Sequence, residues 1–183
     1  SGSRSTATLN VSEPATVDVG QSLTMNNTGS GGGNAVRING DGALTITNNL
    51  DITETSNGSV LIYLNEVTDG SAADAQLSVG GNLTINKSDG DKTEIRLSND
   101  ADLLISGNLS VTDSGTDANN DDKDISLDNA SRITVGGNMS FTLDESSRNP
   151  DLFISLSETA QFSITQSATI SIPNGDRIVF SQF

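Results

Sequence analysis

Apolar and polar residues alternate along most of the chain in short runs, and the runs come in threes. Between 60 and 87 they are VLIYLN (60–65), QLSVGG (76–81) and NLTINK (82–87). The next three are EIRLSN, DLLISGN and LSVTDS, followed by DISLDN, RITVGGN and MSFTLD, and then by LFISLSE, QFSITQ and ATISIP. Period-two alternation predicts strands with one face buried. Two earlier sets, beginning near Ser5 and Asn34, keep the same order, and the final RIVFSQF reads as the first strand of a seventh set.

The sets recur at a nearly constant interval. The apolar residue after each Gly-Asn or its equivalent is Leu23, Leu50, Leu83, Leu109, Met139 and Ala168, at spacings of 27, 33, 26, 30 and 29 residues. Placing alternate residues inward gives three columns. The first holds Val11, Ile38, Leu64, Leu97, Leu127, Leu156 and Phe180; the second Val19, Ile46, Val79, Ile105, Val135 and Ile164; the third Met25, Ile52, Ile85, Val111, Phe141 and Ile172. Every member is a medium or large apolar residue. The expected fold is therefore all-β: a parallel β-helix with three strands per coil and about six coils plus a terminal strand, each coil rising about 4.8 Å.

Connections between second and third strands shrink to Gly-Asn or Gly-Gly-Asn, which predicts a tight corner with a positive φ that both residue types tolerate. Connections from a third strand to the next first strand vary freely, from NGD to DSGTDANNDDKD, so length variation collects on one edge. The opening Ser1-Gly2-Ser3 reads as an expression scar, with 1–4 outside the domain and 5–183 forming one solenoid. The last run has no polar cap, which points either to end-to-end self-association or to a longer solenoid.

Composition narrows the chemistry. Hydrophobic residues are 33% and aromatics 3%, with no Trp, so the core must be Val, Ile and Leu stacked repetitively. The absence of Cys and His removes thiol chemistry, disulfides, Cys/His zinc sites and histidine acid–base catalysis. A formal charge of −15 repels nucleic acid and anionic membranes, and no apolar run reaches bilayer length. An enzyme is not expected, because the acids fall mainly in variable loops and the nine basic residues are scattered singly.

Four features are candidates for binding. Asp113, Asp117, Asp121, Asp122 and Asp124 in the loop 112–124 could offer oxygen ligands to calcium, the one cofactor considered; the spacing is not that of an EF-hand. Arg37, Tyr63, Arg96 and Phe153, with Leu61, fall on the outward side of first strands and form a candidate ligand face. Two outward columns on the third strands, Thr24, Asp51, Thr84, Ser110, Ser140, Thr169 and Asn26, Thr53, Asn86, Thr112, Thr142, Ser171, resemble the flat ladders of ice-binding solenoids. Sequons at Asn10, Asn26, Asn57, Asn82, Asn86, Asn108, Asn129 and Asn138 could accept glycans, but at 82, 108 and 138 the corner geometry already explains the pattern.

The recurring GGNLTIN, SGNLSVT and GGNMSFT resemble the repeats of filamentous-haemagglutinin-type adhesins and autotransporter passengers, which are bacterial β-helices. That resemblance implies secretion or display at the bacterial cell surface. It also implies attachment to a protein or glycan of a host or neighbouring cell, without catalysis or membrane insertion. The alternative is a module binding calcium, a glycan or an ice lattice.

Overall fold

A computed structural model describes residues 5–29, 31–65, 74–88, 92–114, 123–143, 152–172 and 178–182. Residues 1–4 lie outside that set. The described chain holds nineteen strands and no helix, so none long and apolar enough to cross a membrane. The first coil consists of β1 (Ser5–Val11), β2 (Thr16–Val19) and β3 (Leu23–Asn27). The second consists of β4 (Gly32–Ile38), β5 (Ala43–Ile46) and β6 (Leu50–Glu54). The third is β7 (Ser59–Leu64), β8 (Gln76–Val79) and β9 (Leu83–Lys87), and the fourth β10 (Thr93–Leu97), β11 (Asp102–Ile105) and β12 (Leu109–Asp113). The fifth is β13 (Lys123–Leu127), β14 (Arg132–Val135) and β15 (Met139–Leu143), and the sixth β16 (Leu152–Leu156), β17 (Gln161–Ile164) and β18 (Ala168–Ser171). The last strand is β19 (Ile178–Gln182).

Every third strand pairs, so the chain winds into three parallel sheets. The first sheet has seven strands in the order β1-β4-β7-β10-β13-β16-β19; the second and third have six each. The fold is a β-solenoid with three strands per coil, and the alternation explains it. An apolar residue facing inward in one coil stacks on its counterpart above and below, so the interior is one continuous cluster running from Val11 to Ile154. Leu50, Leu83 and Leu109 are fully buried register neighbours, as are Ile46, Val79, Ile105 and Val135 to within 1%.

Register corrects the sequence columns at one end. Ile154, not Leu156, is the neighbour of Phe180, and Ile170, not Ile172, follows Phe141. Both errors are shifts of two residues, which leave a side chain on the same face. Among the described residues no strand stacks on the far side of β19, and there Phe180 is 66% exposed and Ile178 42%.

Candidate functional site

The Gly-Asn corners form a hydrogen-bonded ladder. Asn82 donates its backbone N–H to Asn49 Oδ1 (2.9 Å), Asn108 to Asn82 Oδ1 (2.8 Å) and Asn138 to Asn108 Oδ1 (2.8 Å). Serines terminate it: Asn49 N–H reaches Ser22 Oγ, and Ser167 Oγ donates to Asn138 Oδ1. The preceding glycine is needed for space rather than for backbone conformation. A Cβ on Gly107 would sit 2.5 Å from Asn82 Oδ1, and one on Gly137 2.4 Å from Asn108 Oδ1. The positive φ expected at these corners occurs instead between first and second strands, at Gly40, Asn65, Asn99, Asp100, Asn129 and Glu158. The sequons at 82, 108 and 138 thus have side chains engaged in the ladder. Asn129 is bonded to Asn99 Oδ1, whereas Asn10, Asn26, Asn57 and Asn86 are exposed.

The outward face of the third sheet carries the two expected polar columns in register. Thr24, Asp51, Thr84, Ser110, Ser140 and Thr169 are successive neighbours, and Asn26, Thr53, Asn86, Thr112, Thr142 and Ser171 run beside them. At the coil spacing of about 4.8 Å this makes a regular surface of small hydrogen-bonding side chains.

The outward face of the first sheet positions the proposed ligand residues. Arg37, Tyr63 and Arg96 are consecutive neighbours in one row; Phe153 belongs to the adjoining row with Leu61, Glu94 and Asp124. The Arg37 guanidinium lies 4.9 Å from the Tyr63 ring centre. Tyr63 is itself buried and donates its hydroxyl to Glu94, which also pairs with Lys92. Burial, then the hydrogen bond and charge of Glu94, push the Tyr63 hydroxyl above its ordinary value. For Lys92 burial works downward, yet the Glu94 hydrogen bond and charge prevail and its ammonium is held above the usual range. Tyr63 is therefore committed to the wall, not presented to a ligand.

Arg96 and Phe153 do come together. With Glu94, Asp124, Ser126 and Ser155 they line an open groove of about 410 Å3. Two carboxylates, a guanidinium, two hydroxyls and a ring edge or face converge there, a set able to hydrogen-bond a polyhydroxylated ligand while stacking on its apolar side. A second groove, of about 430 Å3, opens beside Arg37 and Leu61, where Gly33 and Ala35 contribute almost no outward side chain.

The acidic-loop residues are divided by the wall. Asp113 ends β12 facing inward and is fully buried, whereas Asp124 points outward beside Glu94 and Phe153. The strand alternation places these two carboxylates on opposite sides of the backbone, so they do not share a coordination shell. Asp117, Asp121 and Asp122 lie outside the described residues, and among those described no group of three or more metal-ligating side chains is present.

What the sequence reading missed is a buried polar seam at the corner between third and first sheets. Asn27, Glu54, Lys87 and Asp113 are successive register neighbours at the ends of third-sheet strands, all facing inward. Lys123 and Thr93, at the starts of β13 and β10, face them. Asp113 Oδ2 accepts from the Thr93 hydroxyl at 2.9 Å and lies 3.4 Å from Lys123 Nζ, while its Oδ1 is 3.6 Å from Lys87 Nζ. Glu54 accepts from the Ser56 N–H and hydroxyl and from Asn34 Nδ2. The signal was present: continuing the alternation through LTINK places Lys87 inward.

Neither a family model, nor a curated protein, nor a solved structure matches this chain.

Proposed function

We propose that the chain is a non-catalytic segment of a secreted or surface-displayed bacterial adhesin or extracellular fibre, which binds a glycan or glycoprotein of another cell through the outward side of its first sheet. The groove formed by Arg96, Glu94, Asp124, Ser126, Ser155 and Phe153 supports this most directly. Its groups complement sugar hydroxyls and the apolar face of a pyranose ring, and each is fixed by the paired strand that carries it. The repeat resemblance to filamentous-haemagglutinin-type passengers favours the same reading.

The test is binding of the purified chain to a glycan array and to host and bacterial cells. The expected result is saturable binding to one glycan class, weakened at least tenfold by Phe153→Ala or Arg96→Ala, a loss of about 1.4 kcal/mol or more. Binding that is absent from every surface, or unchanged in both variants, refutes the assignment.

The regular Thr, Ser and Asn columns of the third sheet favour one second reading, contact with an ice lattice. Thermal hysteresis in the wild type that disappears on replacing Thr84 and Thr142 with Tyr would support it; freezing behaviour like that of an inert acidic protein would dismiss it.

A further inference from the structure

We propose that Lys87 and Asp113 form an intramolecular amide cross-link between β9 and β12. Their side chains stand on directly paired residues of adjacent coils, so the strand ladder fixes their approach. Both are fully buried, and Lys87 Nζ lies 3.6 Å from Asp113 Oδ1. An amine and a carboxylate held together in the buried seam are poised to lose water, because condensing them removes two charges whose burial is costly.

The surroundings distinguish the two carboxylate oxygens. Oδ2 accepts the Thr93 hydroxyl at 2.9 Å and has the Lys123 ammonium 3.4 Å away. Those two donors suit the negative charge that Oδ2 gathers when an amine adds to Cγ, in the manner of an oxyanion hole. Oδ1 faces Lys87 and is the oxygen that departs. Lys87 Nζ bonds to Asp113 Cγ, and the Cγ–Oδ1 bond breaks. Two of the three ammonium protons leave with Oδ1 as water, and the third stays on the amide nitrogen. One positive and one negative charge disappear together, with no oxidant, reductant or co-reactant. Lys123 remains beside the new carbonyl.

The intact mass of the denatured full chain tests this. The expected value falls short of the sequence mass by one water, and digestion releases a branched peptide joining the segments around Lys87 and Asp113. The deficit should survive hydroxylamine, which opens the aspartyl succinimide that gives the same mass loss without joining peptides. Lys87→Met should restore the full mass, and Thr93→Val should slow linkage after denatured synthesis and refolding. A full sequence mass in the wild type, a deficit removed by hydroxylamine, or a branched peptide joining Lys123 instead overturns the assignment. The wild-type measurement decides the matter even where a variant fails to fold.

Discussion

Asn82 Oδ1 accepts the backbone N–H of Asn108 at 2.8 Å, and Gly107 stands so close above it that a methyl group would collide with the same oxygen. The two residues of the corner therefore have separate duties: Asn joins consecutive coils, and Gly admits the joint. Asn82→Ala should cost about 1 kcal/mol, the usual net worth of one hydrogen bond at a site that water can reach. Gly107→Ala should cost more, about 2 kcal/mol, because its Cβ would also lie 2.7 Å from the Gly81 carbonyl oxygen, which is backbone and cannot swing aside. Urea denaturation midpoints measure both, and the order Gly107 above Asn82 is the discriminating result.

Burial separates the middle of the solenoid from its last strand. Leu109 is fully buried between Leu83 and Met139, so Leu109→Ala should lower stability by about 3 kcal/mol. Phe180→Ala, at a ring 66% exposed, should change it by less than about 0.5 kcal/mol. Hydrogen exchange should show the same gradient, with amides of β11 and β12 protected far longer than those of β17 and β19.

The Tyr63–Glu94–Lys92 cluster makes stability fall in alkali. Tyr63 and Lys92 both have folded-state values raised above their ordinary ones, so the unfolded chain gives up these protons first as the pH rises. Their contribution is whole below about pH 10 and is lost as the pH climbs from there through the raised folded values. Denaturation at pH 8 and pH 11 should show this loss, and Tyr63→Phe should reduce its size. An identical pH dependence in the variant would remove Tyr63 from the account.

Glu54 is the acceptor for three donors in a site without solvent. Glu54→Ala leaves Asn34 Nδ2 with only the Thr53 carbonyl and strips the Ser56 N–H and hydroxyl of their acceptor, and should cost about 3 kcal/mol. Thermal melting of the variant, alone and with Asn34→Leu, measures it. Partial recovery in the pair is expected, because the stranded amide is then gone.

The fold was legible because a solenoid repeats one demand in every coil. Val79, Ile105 and Val135 could be aligned across loops of unequal length, since an insertion changes nothing about what must face inward. Phe180 and Ile172 went astray for a reason internal to the same rule: a shift of two residues preserves the face and so breaks no pattern. The glycine requirement at 107 and 137 was invisible because it depends on an asparagine of the coil below, not on the local backbone. Asp113 read as part of an acidic loop because five aspartates cluster there in sequence. Strand alternation sends it inward and Asp124 outward. Tyr63 read as exposed because its position is outward, yet Arg37 and Glu94 cover it.

The seam also bears on how the coils find their order. Apolar columns and Gly-Asn corners are nearly interchangeable, so one coil could stack on almost any other; excising residues 83–108 would even join Asn82 to Leu109 and recreate the same corner. The line Glu54, Lys87, Asp113, Lys123 is not interchangeable. Skipping the coil between would set Glu54 against Asp113 in the dry interior, with the cation that separates them missing. Alternating charge thus acts as a key that tells each turn which turn it follows.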